Sequence, residues 1–252
     1  MKLLTLARDL RRRKARERQG LFAAEGVRAV EELARSALAI RGVLVAPQLA
    51  EAPRGAALLA TLRQRGVEIA EVSALEFASA AETESPQGVL AVARIPDHAL
   101  DRLPLPPKAR LVLLDGVQDP GNVGTILRTS AALGAAAVLA LPGTVDLWNA
   151  KVVRSAMGAS FHTPAFSCTW DQLDTFRRRE SFALWGADAG GTALESLVAP
   201  DRLALIVGNE GAGLSPDSRG RVEVLASLPI SSAVESLNVA VATGILLYQL
   251  RT

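Results

Sequence analysis

Short continuous apolar runs alternate with stretches whose apolar residues recur every three or four positions along most of this 252-residue chain. In the first third, "VLVA" (43–46), "VEIAEV" (67–72) and "GVLAVAR" (88–94) read as strands. Between them, "VRAVEELARSA" (27–37) places Val27, Val30, Leu33 and Ala34 on one helical face, and "AALLATLRQRG" (56–66) reads as a helix stopped by Gly66. The alternation breaks at "IPDHALDRLPLPPKA" (95–109), which has four prolines and no apolar period, the composition of a linker. It resumes with strands expected at 111–115, 136–141, 182–187, 203–208 and 222–230, and a closing helix from about Leu237 to Arg251. Apolar strands of this kind, separated by helices, predict an α/β fold with a parallel sheet covered on both faces. The division that follows is a domain over 1–95, a linker over 96–109 and a second domain over 110–252.

Composition narrows the class. Hydrophobic residues make up 49% and charged residues 21%, which fits a globular protein with an ample core. The single cysteine, Cys168, excludes an intramolecular disulfide framework and suits a reducing cytoplasm. No apolar run is long enough for a membrane span, and the N-terminus is basic where a secretory signal would be apolar. Charge is unevenly placed. Residues 1–20 hold eight basic side chains against Asp9 and Glu17, a net +6, which leaves −4 for the rest of a chain whose total is +2. A concentrated basic segment either docks a polyanion or is a solvated amphipathic helix, and charge alone does not separate the two.

Candidate chemistry sits in three loops that follow strands, where a parallel sheet gathers its functional groups. In "LVLLDGVQDPGNVGTILRTSAALGA" (111–135), an apolar strand ends at Asp115 and passes through a polar loop into a helix. Asp119 can cap that helix, Pro120 can occupy its first turn, and Asn122 and Arg128 follow. The loop matches neither the G-x-G-x-x-G nor the G-x-x-x-x-G-K-[ST] phosphate cradle. The second loop, "GNEGAGLS" (208–215), has three glycines in six positions and one carboxylate, Glu210. The third, "LPISSAVESLNVAVATGILLYQL" (228–250), opens an apolar helix with Ser236 and Asn238. Each loop taken alone also fits an ordinary capped turn.

In this order and spacing the three segments closely resemble the signature motifs of the SpoU (TrmH-like) methyltransferases, ribose 2′-O-methyltransferases of the SPOUT superfamily. "WNAKVVRSAMGASFHTP" (148–164) is also similar to that family, and "FAAEGVRAVEELA" (22–34) and "ESPQGVLAV" (84–92) resemble the substrate-binding domain often fused to it. One departure stands out: the family's Ile-Pro-Met-x-Gly is Leu228, Pro229, Ile230, Ser231 and Ser232 here. The resemblance implies a knotted (trefoil) α/β methyltransferase domain behind a small α/β domain similar to ribosomal RNA-binding proteins. It implies S-adenosylmethionine as cofactor, RNA (most of all large-subunit ribosomal RNA) as partner, and a homodimer. By the same likeness, cofactor contacts fall at Leu141, Gly208, Leu228, Ile230 and Leu237.

Methyl transfer to a ribose hydroxyl develops negative charge on a poor nucleophile, and a fixed cation stabilises it. Arg128 is the candidate for that role, acting electrostatically because a guanidinium is too basic to serve as a literal base. Asn122, Glu210, Ser236 and Asn238 would orient the ribose and hold Arg128. With an RNA partner in view, Arg11, Arg12, Arg13, Lys14, Arg16 and Arg18 become expected phosphate contacts. No metal is expected: His98 falls in the linker and His162 has no ligand partners nearby in sequence. The last helix, with Val239, Val241, Ile245, Leu246 and Tyr248, offers the expected dimer face. Two other readings stay open, a tRNA 2′-O-methyltransferase and an RNA-binding or ribosome-assembly protein without catalysis.

Overall fold

Val27, Val30, Leu33 and Ala34 are all buried along one side of a helix, as their spacing requires. The computed structural model describes residues 2–97 and 100–251, so His98 lies outside the described residues. Two compact units are present. The first takes the described residues up to Asp97 together with Trp148–His162, and the second takes the rest. The inclusion of 148–162 in the first unit differs from the division drawn along the sequence, which kept that segment with the C-terminal domain.

The first unit opens with two short helices, α1 (Leu3–Asp9) and α2 (Arg13–Gln19). Then come β1 (Leu21–Glu25), α3 (Val27–Arg35), β2 (Ile40–Val45), α4 (Gln48–Glu51), α5 (Pro53–Gln64), β3 (Ile69–Glu71), α6 (Ala74–Ala80) and β4 (Val89–Arg94). The strands form a mixed sheet in the order β1-β4-β2-β3, with β4 antiparallel to both neighbours and β2 parallel to β3. Helix α1 buries Leu6 and Ala7 in a core shared with Leu44, Phe77 and Leu90, so the basic leader belongs to the fold. Arg16 is turned inward, 3% exposed, and donates to the carbonyls of Leu10 (2.8 Å) and Arg11 (2.9 Å) at the end of α1. This corrects its assignment to the exposed phosphate contacts: its guanidinium satisfies orphan helix carbonyls. Arg11, Arg12, Arg13, Lys14 and Arg18 are exposed, with Arg12 and Arg18 drawn to Asp9 and Arg13 to Glu17.

The second unit begins in the proline-rich stretch. Leu105 is buried in its core, and the Arg202 guanidinium donates to the carbonyls of Leu105 (2.8 Å) and Pro106 (2.9 Å). Next are β5 (Ala109–Asp115), α7 (Pro120–Ala132) and β6 (Ala137–Ala140). The chain then supplies α8 (Ala150–Ser155) to the first unit and returns as β7 (Ala165–Ser167) and α9 (Trp170–Glu180). It finishes with β8 (Ala183–Ala193), β9 (Arg202–Gly208), α10 (Pro216–Arg221), β10 (Val224–Ser227) and α11 (Val239–Leu250). The six strands lie in the order β10-β8-β9-β5-β6-β7 with every pairing parallel, as the apolar runs require. Every residue of β5 is buried, and so are six of the seven in β9. Arg110 is 8% exposed and its guanidinium binds the carbonyls of Leu250, Ala109, Pro200 and Asp201, pinning the end of α11 to the sheet. Burial pushes the Cys168 thiol up to about 12, which leaves it unreactive.

Candidate active site

Strand order reverses between β5 and β9. From β5 the sheet proceeds through β6 to β7, and from β9 through β8 to β10. The two central strands are in register to their ends, Leu114 opposite Val207 and Asp115 opposite Gly208, so the loops that follow them open side by side. A parallel sheet binds its ligand at such a switch point.

In the first loop Asp119 caps α7, its Oδ1 accepting from the Asn122 N–H (2.8 Å), with Pro120 in the first turn as its type and position predict. The capped turn holds the Asn122 side chain toward the second loop, where its Nδ2 donates to Glu210 Oε1 at 3.0 Å. The same carboxylate accepts from the backbone N–H groups of Asp119 (3.1 Å) and Gln118 (3.3 Å). The third loop joins through Asn238, whose Nδ2 donates to Asn122 Oδ1 at 2.9 Å. The Asn238 Oδ1 meanwhile caps α11, accepting from Ala240 (2.9 Å) and Val241 (3.3 Å). Asn122 therefore spends its amide N–H on one loop and its amide oxygen on another.

The second loop folds tightly onto its own strand. Asn209 and Gly213 exchange both backbone hydrogen bonds at 2.9 Å, and Asn209 Oδ1 accepts from Gly211 and Ala212. A Cβ on Gly208 would lie 2.2 Å from the Gly213 carbonyl carbon, and Gly213 has φ +68°, so both positions need glycine. Asp115, 6% exposed, accepts from the Ser215 N–H and the Ser218 hydroxyl, both at 2.6 Å, and fixes where the loop enters α10. Sequence reasoning saw Asp115 only as the end of a strand; an acid closing an apolar run is the signal that marks it.

The second and third loops, with residues 187–189 of β8, enclose a cleft of about 520 Å³; Asn122 lies outside its lining and reaches it through Glu210 and Asn238. Of the residues singled out in the sequence, Gly208, Glu210, Leu228, Ile230, Ser236, Leu237 and Asn238 line it. Leu141 does not: it is 2% exposed inside the sheet core, and its N–H is bonded to the Leu114 carbonyl. Arg128 is exposed on α7 outside the cleft lining, with no hydrogen bond or ion pair to a protein group among the described residues. The structure thus joins Asn122, Glu210 and Asn238, places Ser236 beside them and leaves Arg128 open to solvent. Ser232 has no positive φ, so the backbone there does not demand the family's glycine. His162 stands 3.9 Å from Glu32 in the first unit, and no group of three His, Cys, Asp or Glu that could hold a metal ion occurs among the described residues.

Residues 109–248 match the SpoU rRNA methylase family model, and residues 5–91 match the MRM3-like substrate binding domain. The chain is 33% identical to the Bacillus subtilis 23S rRNA (guanosine(2553)-2′-O)-methyltransferase RlmP over 97% of its own length and 94% of that protein. Among solved structures, the SpoU methyltransferase AviRb from Streptomyces viridochromogenes, in complex with the cofactor AdoMet, superposes with a TM-score of 0.88. Identity there is 29%, covering 98% of this chain and 96% of that one. The AdoMet-bound rRNA methyltransferase from Sinorhizobium meliloti superposes with a TM-score of 0.85 at 26% identity, over 98% and 93% of the two chains.

The Glu210 cluster has a pH signature. Burial opposes ionisation, but the Asn122 amide and the surrounding backbone N–H groups outweigh it and hold the carboxyl below its ordinary value. A lowered folded-state pKa contributes stability that is complete above the unfolded value and is lost as pH falls through the folded one. The stability difference between wild type and Glu210→Gln in urea melts should therefore be constant above about pH 5 and shrink on acidification. A difference that does not change with pH would contradict the assignment.

Proposed function

The chain belongs to the SpoU rRNA methylase family, and from that premise we propose that it is an S-adenosylmethionine-dependent ribose 2′-O-methyltransferase of 23S ribosomal RNA, working in the cytoplasm. The observation that carries this reading is the Glu210–Asn122–Asn238 relay at the mouth of the cleft, built from all three loops. Near full-length likeness to ribosomal RNA enzymes, first unit included, favours that substrate over tRNA. The presence of all five polar groups, Asn122, Arg128, Glu210, Ser236 and Asn238, favours catalysis over a binding role alone.

The cleft suits the cofactor. Leu228, Ile230 and Leu237 provide an apolar slot for a purine, and the peptide groups of 208–213 lie beside it for the polar edge. A volume of about 520 Å³ is within the range of small-molecule sites. S-adenosylmethionine supplies an activated methyl group there. The chain's own residues then have separable tasks. Glu210, Asn122 and Asn238 fix the loops and orient the ribose; Ser236 offers a hydroxyl at the same wall. Arg128, carried by the helix whose first turn bears Asn122, stabilises negative charge as the 2′-oxygen gives up its proton, and a neighbouring RNA phosphate accepts that proton. By family likeness the C-terminal segment also makes the trefoil crossing.

The first unit is read as the RNA-docking domain, with Arg11, Arg12, Arg13, Lys14 and Arg18 facing phosphates. A homodimer is read from the outer face of α11. Val241, Ile245 and Tyr248, at helical spacing, are 52%, 40% and 56% exposed. Leu246, grouped with this face along the sequence, is 2% exposed and points inward, and Val239 is half-buried; the dimer face is narrower than expected. Exposed apolar stripes of this kind mark interaction surfaces.

Light scattering at micromolar concentration should give the mass of two chains, and Ile245→Asp should give one; a monomeric wild type would refute the dimer. Arg128→Ala should fold and bind S-adenosylmethionine as wild type does, yet lose on the order of 10²-fold in single-turnover methyl transfer. Transfer within a few-fold of wild type would make Arg128 an ordinary surface residue.

A further inference from the structure

Strand β8 makes an excursion where it meets the cleft. Its parallel pairing with β10 runs through Trp185 and Gly186, opposite Val224 and Leu225, then jumps to Thr192 and Ala193, opposite Ala226 and Ser227. Residues 187–191 are therefore extra length on one strand only, an enlarged bulge, and 187–189 supply a wall of the cleft. The excursion is clamped from both sides. The Ser227 hydroxyl donates to the Gly191 carbonyl at 3.0 Å, and a Cβ on Gly191 would lie 2.4 Å from the Leu225 carbonyl oxygen, so β10 presses directly on its backbone. Asp188 holds the other side, accepting from the Gly190 N–H (2.9 Å) and from the Arg219 guanidinium of α10.

Charge around the cleft is one-sided. Among the described residues, its lining includes two carboxylates, Asp188 and Glu210, and no Lys, Arg or His. Glu210 is occupied by the Asn122 amide and by the backbone N–H groups of 118 and 119. Asp188 is less fully used: a carboxylate offers about four lone-pair sites, and one backbone N–H and one guanidinium do not fill them. Arg219 cancels the Asp188 charge only in part. Its side chain is 45% exposed against 19% for Asp188 and lies outside the lining, so water screens the cation more than the carboxylate.

S-adenosylmethionine carries a sulfonium, and S-adenosylhomocysteine, the product left after methyl transfer, does not. The C–S bond breaks with its electron pair staying on sulfur as the C–O bond to the ribose forms, so the reaction removes a positive charge from the cleft. We propose that the Asp188 carboxylate attracts that sulfonium, so that affinity for the cofactor depends on Asp188 while affinity for the product does not. Such a group favours exchange of spent product for fresh cofactor, because the attraction is lost in the step that transfers the methyl. The proposal rests on the S-adenosylmethionine reading given above.

Calorimetry on the full chain with S-adenosylmethionine and with S-adenosylhomocysteine tests it, using two substitutions that break the same ion pair from opposite ends. Asp188→Asn should weaken cofactor binding by at least about fivefold, the effect of unit charges about 4 Å apart in water, and leave product binding within about twofold of wild type. Arg219→Gln removes the neighbouring cation and keeps the carboxylate, so it should leave cofactor affinity at or above the wild-type value. A carboxylate that only fixes the wall requires both substitutions to weaken cofactor binding alike, and that result overturns the proposal. Equal weakening of cofactor and product by Asp188→Asn also overturns it, by placing the carboxylate on a group common to both, such as the ribose diol. An unchanged cofactor affinity in Asp188→Asn overturns it too, and each of these results leaves the cofactor reading intact. A wild-type protein that does not bind S-adenosylmethionine overturns both.

Discussion

A single side-chain amide joins three parts of the chain that are far apart in sequence. Asn122 donates to Glu210, 88 residues away, and accepts from Asn238, 116 residues away. Each bond is exposed and contributes only about 0.5–1.5 kcal/mol. Their effect lies in coupling, because each partner is itself a structural fixture. Asn122 is in the first turn that Asp119 caps, Glu210 gathers the backbone N–H groups of 118 and 119, and Asn238 is the cap of α11. Displacing one loop therefore disturbs a helix cap and a carboxylate site as well. That is how flexible polar loops become a preorganised surface, where small displacements of reacting groups are expensive.

Burial underneath makes this arrangement possible. Strands β5 and β9 run in register to the sheet edge, so Asp115 and Gly208 end together. Gly208 lets the second loop lie on its own strand, and Asp115 ties the far end of that loop to α10. Arg110 acts from the other end of β5, holding the last carbonyl of α11 so that the helix capped by Asn238 stays against the sheet. A buried cation and a buried carboxylate, each held by several hydrogen bonds, thus bracket the central strand.

Much of this was legible in the order of residues. Apolar runs located five of the six strands of the parallel sheet to within a few residues, except at the ragged ends of β8 and β10. The short β7 escaped because three residues cannot show a period. In the first unit β1 was missed, as "LFAAE" has too few β-branched residues to stand out, and α6 was missed despite the Ser73–Glu76 capping box that marks its start. At the site, types and spacing pointed to Asn122, Glu210 and Asn238, but not to which of them touch. Three particulars depend on tertiary packing that no local pattern carries: Arg16 turns inward to finish α1, Leu141 sits in the core away from the cleft, and residues 148–162 join the first unit through Trp148 and Phe161.

The coupling of the three loops through Asn122 is the central claim, and amide hydrogen exchange on Asn122→Leu tests it most directly. The account predicts that 208–215 and 228–240 lose protection together, while β5 and β9 keep theirs and S-adenosylmethionine affinity falls by about tenfold, the equivalent of roughly 1.4 kcal/mol. Protection in either loop that matches the wild type, with cofactor affinity unchanged, would show that the loops hold their places independently and would contradict it.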